Sequence, residues 1–346
     1  MKQRNCSLDV VRLVAALVVV VCHVFLFKEG NYVLHQFVAR FSPRVGVSLF
    51  FAISGYYYIK AINKKDIFKK QMKSLLTVYI AWTIIYYAAS FVDNVVLGDA
   101  DIGKFLVERV FFFFTEGSYS HFWFFTAMIY SVIMATVANR LGGKKGLFVL
   151  TVLSLVLFLI GNLGSGYYII GARIPVLNVL YGEYADAFFV LRGIFCMGLP
   201  YFMIGYWLNE WEEKVLSMEN KRFWGLYGIS SVLYVAEILF LIVGVDGTER
   251  PEVFIMLYPM AFMIMSLLLR NPMPSWSRIT PFCKRMSGYI YYVHPLLILV
   301  FELTAGILGI TIPSYVLFVL VVAMAMISGL ILMRLSERIK FLNYFV

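Results

Sequence analysis

Charge is what this sequence has least of. Only 14% of its 346 residues are Asp, Glu, Lys or Arg, while 61% are hydrophobic. A soluble globular chain is roughly a quarter charged and half apolar. The deficit is too large for one buried core inside a solvated surface. Cysteine is also scarce. Cys6, Cys22, Cys196 and Cys283 are the full set, and none shares the short spacing of a zinc site, so no metal is expected. Short alternating segments are missing, which argues against a membrane barrel. No internal repeat and no low-complexity linker is visible. Lys2 and Arg4 precede an apolar stretch that is too long for a secretory leader and has no small-residue cleavage pattern.

What is present is long apolar blocks. They run over 8–27, 44–60, 74–97, 122–138, 147–163, 188–208, 223–243, 253–269, 287–308 and 314–333. A span needs about 20 mostly apolar residues at 1.5 Å each. The reading is an all-α, polytopic membrane bundle of about ten helices, forming one domain over 1–346. The formal net charge of +10 does not point to nucleic acid, because the cations sit in short segments between the blocks. With the N-terminus inside, 21 of the 30 Lys and Arg fall in inner segments, seven in outer segments and two, Arg12 and Arg192, within blocks. This positive-inside bias puts both termini in the cytoplasm. No cysteine then lies in an outer loop, and no disulfide is expected.

The outer loops are the longer ones. Lys104–Phe114 is too short to span and reads as an interfacial or re-entrant helix. Residues 164–187 carry Tyr167, Tyr168, Tyr181, Glu183, Tyr184 and Asp186, which suit either the interfacial aromatic belt or sugar binding. On the inner side, Lys64–Lys73 is a basic stretch. It can anchor topology on anionic lipid or attract an anionic cofactor.

Ionisable groups within spans are costly and carry a functional hypothesis by default. The first block holds Asp9, Arg12 and His23. Asp9 and Arg12 are three residues apart, so they share a helix face and can pair. Arg12 and His23 are eleven apart, about 1,100° of turn, so they point the same way roughly 16 Å apart along the axis. An arginine holding a phosphate with a histidine above it suits a long ligand with an anionic end and a reactive end. Against this stand a snorkelling arginine and a histidine that ties two helices. Arg192, Glu237, His294 and Glu302 are the other intramembrane polar groups. Pro295 follows His294 and kinks the helix, which suits a cavity wall or a helix–helix tie. Glu237 and Glu302 suit a proton relay or a structural hydrogen bond.

Four stretches resemble the acyltransferase-3 family of membrane acyltransferases. They are Leu8-Asp9-Val10-Val11-Arg12 with His23 after ten further residues, the Gly46–Tyr56 stretch with Phe50-Phe51 and Ser54-Gly55, His121-Phe122-Trp123-Phe124-Phe125, and Ser287–Pro295 ending in His294-Pro295. The middle portion, with Trp123-Phe124-Phe125, Gly166-Tyr167-Tyr168, Ile174-Pro175-Val176-Leu177 and Arg192-Gly193-Ile194-Phe195, is similar to the membrane half of glycopeptide-resistance serine racemases. No racemase domain is seen, and racemase activity is not inferred.

The resemblance implies transfer of an acyl group, usually acetyl, from cytoplasmic coenzyme A to a hydroxyl of a cell-envelope carbohydrate at the outer face of a bacterial cytoplasmic membrane. It implies Arg12, with Asp9, at the coenzyme A end and His23 as the catalytic histidine, with His294 a second catalytic candidate. Ser54, Trp123, Arg192 and Glu302 are candidates for acceptor binding or for an oxyanion site. Acetyl-coenzyme A is the expected donor; no metal and no nucleic-acid partner are expected. His23 can act as a base or as an acyl relay. The rival function is transport of serine or another small solute, which would also use polar groups near the midplane.

Overall fold

The computed structural model describes residues 5–30, 32–96, 101–243 and 253–346. Lys2, Arg4 and Arg250 of the charge asymmetry lie outside the described residues, as do the side chains of Arg40 and Asp186. All regular structure among the described residues is helical. The longer helices are α1 (Cys6–His23), α2 (Ser42–Ala61), α3 (Ile67–Phe91), α4 (Ile102–Phe114), α5 (Trp123–Leu163), α6 (Phe188–Glu210), α7 (Asn220–Val243), α8 (Leu257–Arg270), α9 (Thr280–Leu308) and α10 (Ser314–Arg338).

Among the described residues, seven helices are long and apolar enough to cross a membrane, not ten. The difference falls in three places. Two sequence blocks lie in α5, which is one 41-residue element broken at Gly143 (φ 55°, ψ −133°). A straight helix of that length would reach about 60 Å. At the break the chain turns back, since a side chain on Gly146 would collide with the Ala138 carbonyl eight residues earlier. Helix α8 has only 14 residues. Helix α2 carries Arg44, Lys60 and three consecutive tyrosines, and it is not one of the seven.

The chain divides into two compact units. The first comprises residues 1–50, 211–247 and 256–346; the second comprises 51–210 and 248–255. In the first unit, α1 starts on an Asn5 cap whose side chain accepts the Ser7 N–H at 3.1 Å. Its start docks on the end of α8: Asn5 Nδ2 and Ser7 Oγ both donate to the Leu268 carbonyl, at 3.0 and 2.7 Å. Helix α9 runs parallel to α1, because Asp9 acts on Cys283 near the start of α9 while His23 meets His294 further along. Helix α10 runs antiparallel to α9: Arg285 donates to Ser336 at 2.7 Å and Tyr289 to Ser328 at 3.1 Å. The start of α1 and the end of α10 therefore lie at one end of this unit. Helices α7 and α8 are also antiparallel, joined where the Met256 N–H donates to Glu237 Oε2 at 2.8 Å.

The turn after His23 is strained and then fastened. Phe25 (φ 51°) and Phe27 (φ 65°) take left-handed conformations that bulky residues rarely adopt. Their surroundings hold them there. His35 Nδ1 donates to the Leu26 carbonyl at 2.8 Å, the Phe27 N–H donates to Ser314 Oγ at 2.9 Å, and the Glu29 carboxylate accepts from the Ser314 N–H (3.0 Å) and Oγ (2.5 Å). The Ser314 hydroxyl bond holds the Glu29 carboxyl below its ordinary value. A carboxyl with a depressed folded pKa adds stability above its unfolded pKa and loses it as pH falls through the folded value. Glu29→Gln should therefore lower the thermal midpoint at pH 7 and leave it nearly unchanged below pH 4, read by melting in detergent.

In the second unit, α2 and α6 cross with backbone touching backbone. A side chain on Gly55 would sit 1.9 Å from the Phe202 carbonyl oxygen, and one on Gly205 would sit 2.2 Å from Gly55. Small residues are what allow membrane helices this approach. A buried cluster of Tyr181, Phe188 and Cys196 packs the far end of α5. The Tyr181 hydroxyl donates to the Ile160 carbonyl at 2.7 Å, and burial pushes that phenol up to about 12. Tyr181 is thus a structural group, whereas Tyr168, Glu183 and Tyr184 are exposed. Helix α4, the short helix expected in the outer loop, hangs on α3 through Tyr79, which donates to the Phe113 carbonyl at 2.7 Å, and through Tyr87, which donates to Arg109. Its Leu106, Val107, Val110 and Phe111 are exposed, as an interfacial helix requires. Lys64, Lys65, Lys69, Lys70 and Lys73 are all exposed.

Candidate active site

The first unit gathers most of the predicted polar residues on α1 and α9. Asp9 is buried, with 2% exposure, and accepts a hydrogen bond from Arg12 Nη1 at 3.4 Å. The pairing expected from their spacing is present. Arg12 also lies within electrostatic reach of the Tyr292 hydroxyl. Tyr292 folds down over Gly288, where a larger residue would meet its ring. Both ionisable ends of α1 thus turn towards α9.

Further along, the His23 and His294 rings meet with centroids 4.9 Å apart and planes tilted by 55°. His294 is completely buried, and His23 is half-buried. The Ile290 carbonyl, 3.1 Å from His294 Nδ1, can only accept, so Nδ1 carries the proton. In the neutral ring Nε2 then keeps its lone pair. Pro295 lacks the N–H that a helix would give to the Tyr291 carbonyl. The ring of Tyr291 lies 6.1 Å from that of His294, and the ring of Phe50 lies 6.1 Å from that of Tyr291. Parallel helices explain why two histidines 271 positions apart share one level.

Arg44, near the start of α2, lies within electrostatic reach of this pair, acting on His23, and also acts on Tyr234 of α7. Tyr234 and Glu237 are buried. In the sequence Arg44 is only the first residue of an apolar block and one of the seven outer cations, and nothing there marks Tyr234. The signal for Arg44 was its place two residues before Gly46, which lets α2 press on α1: a side chain on Gly46 would lie 3.0 Å from the Ala15 carbonyl.

The remaining predicted residues lie elsewhere. Ser54, Trp123 and Arg192 belong to the second unit. Ser54 is half-buried beside the Gly55 crossing. The Trp123 ring lies against Gly193, 3.3 Å from where a side chain would begin, and 6.0 Å from the ring of Phe51. Arg192 is buried and opens a π-helical segment, Arg192–Gly198, with its guanidinium 4.8 Å from the Phe189 ring centre. Wider π-helical turns are frequent at functional sites. Glu302 is exposed on α9 and makes no contact with the histidine pair among the described contacts. All four cysteines are free thiols. No group of three His, Cys, Asp or Glu among the described residues is spaced to hold a metal ion.

A chain that sets two histidines ring to ring, with an arginine further down the helix that carries one of them, has the parts for proton transfer next to an anion-binding end. Comparison with known proteins bears on what those parts serve. The acyltransferase domain of the acyltransferase-3 family matches residues 5–334. An amino-acid racemase of Enterococcus faecalis is 25% identical over 354 aligned positions, covering 98% of this chain and 47% of the relative. A serine/alanine racemase of Enterococcus gallinarum is 23% identical over 308, covering 84% of this chain and 40% of the relative. The chain spans less than half the length of these curated relatives. No solved structure matches it. With its match running over nearly the full length, the chain belongs to the acyltransferase-3 family of membrane acyltransferases.

Proposed function

We propose that this protein takes an acyl group, acetyl in the simplest case, from cytoplasmic coenzyme A and delivers it to a hydroxyl of a cell-envelope carbohydrate or similar acceptor. In this reading it spans the bacterial cytoplasmic membrane ten times with both termini inside. The observation that carries the reading is the His23–His294 pair, 4.9 Å between ring centres, set above the Asp9–Arg12 pair on one helix. A hydroxyl is a poor nucleophile at neutral pH. A neutral His23 takes its proton as it attacks the thioester. His294, with its proton on Nδ1, packs its ring against His23 and so limits the orientation of that ring. Arg12 holds the phosphate end of the donor, and the exposed Arg278 and Lys284 near the start of α9 draw it in.

Arg12→Ala should weaken acetyl-coenzyme A binding by about tenfold or more, the scale of a lost charge-assisted hydrogen bond, without changing the rate constant of a saturated enzyme. Calorimetric titration beside a saturation curve reads both. Equal binding by wild type and Arg12→Ala would remove Arg12 from the donor site.

A second reading is supported by the names of the relatives. Proteins named for amino-acid racemisation favour a small amino acid as the molecule handled, and membrane passage is then the activity. Uptake of serine or alanine by proteoliposomes without coenzyme A separates the two.

A further inference from the structure

A guanidinium is permanently charged, and taking its polar atoms out of water is costly unless they find a partner. Asp9 answers Arg12, and the Phe189 ring lies under Arg192. Arg44 is different. Its Nε is buried and bonds to nothing among the described residues, and no carboxylate among them stands within ion-pair distance of it. Glu237 has Oε2 taken by the Met256 N–H. Yet Arg44 sits where its field reaches His23 and Tyr234, on a helix that touches α1 at Ala15 and α9 at Tyr291. A cation there with no ion-pair partner among the described residues suits an anion that arrives with the reaction.

We propose that Arg44 is the oxyanion-binding residue of the site, donating to the carbonyl oxygen of the thioester as negative charge forms on it. This rests on the acyl-transfer reading. In the step, the acceptor oxygen attacks the thioester carbon and forms the new C–O bond, while the carbonyl π pair moves onto oxygen. The hydroxyl proton passes to a ring nitrogen of His23. Arg44 binds the resulting oxyanion. The pair returns to re-form C=O, the C–S bond breaks, and the proton on His23 goes to the departing thiolate. The products are the ester and free coenzyme A. With water as acceptor the same steps give the carboxylic acid.

Hydrolysis of acetyl-coenzyme A by the purified full-length protein tests this without knowledge of the natural acceptor. Arg44→Met should lower kcat by about 100- to 1,000-fold, the usual loss for one oxyanion donor, with acetyl-coenzyme A binding within about twofold of wild type. Arg44→Lys keeps the charge but loses the planar fork and should lose about tenfold. It also carries the test if Arg44→Met is not monodisperse. Wild-type kcat in either variant, while His23→Ala is inactive, would overturn the assignment and leave the acyl-transfer reading standing. So would unchanged hydrolysis with loss only of transfer to an added acceptor, because Arg44 would then hold the acceptor. If wild type neither binds nor hydrolyses acetyl-coenzyme A, the reading itself falls, and this inference with it.

Discussion

Replacing His23 by alanine is expected to slow coenzyme A release from acetyl-coenzyme A by about 100- to 10,000-fold, the range for loss of a positioned general base. Donor affinity should stay within about twofold, because in the proposed reading the phosphate end binds at Arg12, roughly 16 Å away along α1. His294→Ala should cost less. In the proposed reading His294 acts by packing on His23, and its removal leaves the base present but its ring free to turn. Its signature is therefore a changed pH profile of kcat, not a loss of activity at every pH. If His294→Ala and His23→Ala were equally inactive and the double variant no worse, the two rings would be acting as one unit. A His23→Ala enzyme with wild-type kcat would remove the histidine pair from the chemistry altogether.

The second large effect concerns folding. Gly55→Ala and Gly205→Ala each place a methyl carbon where backbone already is, 1.9 Å from the Phe202 carbonyl oxygen and 2.2 Å from the Gly55 carbonyl carbon. Backbone cannot step aside as a flexible side chain can. Overpacking of this kind costs about 1–3 kcal/mol or more, and separating α2 from α6 forfeits the rest of their contact. Gly225→Ala and Gly228→Ala on α7 are the matched controls. Nothing lies within 4 Å of the added atom at either position, and alanine is about 1 kcal/mol better than glycine inside a helix. The first pair should reduce folded yield and thermal midpoint, and the second should hold or raise them. Size-exclusion profiles and melting curves of the four variants in one detergent check the contrast. Equal behaviour of the two pairs would mean that the crossing is not as tight as described.

Most of the helical layout was readable from apolar blocks, because a span must satisfy its backbone hydrogen bonds internally and so announces itself by length. Where the structure differs, local detail decides. Gly143 joins two blocks into one element with a break. The eighth block is a 14-residue helix, and α2 mixes Arg44, Lys60 and tyrosines into its apolar run. The Asp9–Arg12 pair was legible because i,i+3 spacing is a local rule. The meeting of His23 with His294 was not, since it depends on α1 and α9 being parallel neighbours. Arg44 was hidden for the same reason: along the chain it is a cation at a helix edge, and only the packing of Gly46 on Ala15 brings it to the histidines. Glu302 was legible as an ionisable residue of an apolar block, but its exposed position on the 29-residue α9, away from the histidine pair, was not.

The central claim is that this chain breaks a coenzyme A thioester. The most direct measurement is thiol release from acetyl-coenzyme A by the purified wild-type protein, followed with a thiol reagent, beside uptake of labelled serine and alanine by proteoliposomes made from the same preparation. Slow, saturable thiol release that vanishes in His23→Ala, with no uptake, is the predicted result. Uptake without any thiol release or donor binding at millimolar acetyl-coenzyme A would contradict it and assign the polar interior to transport.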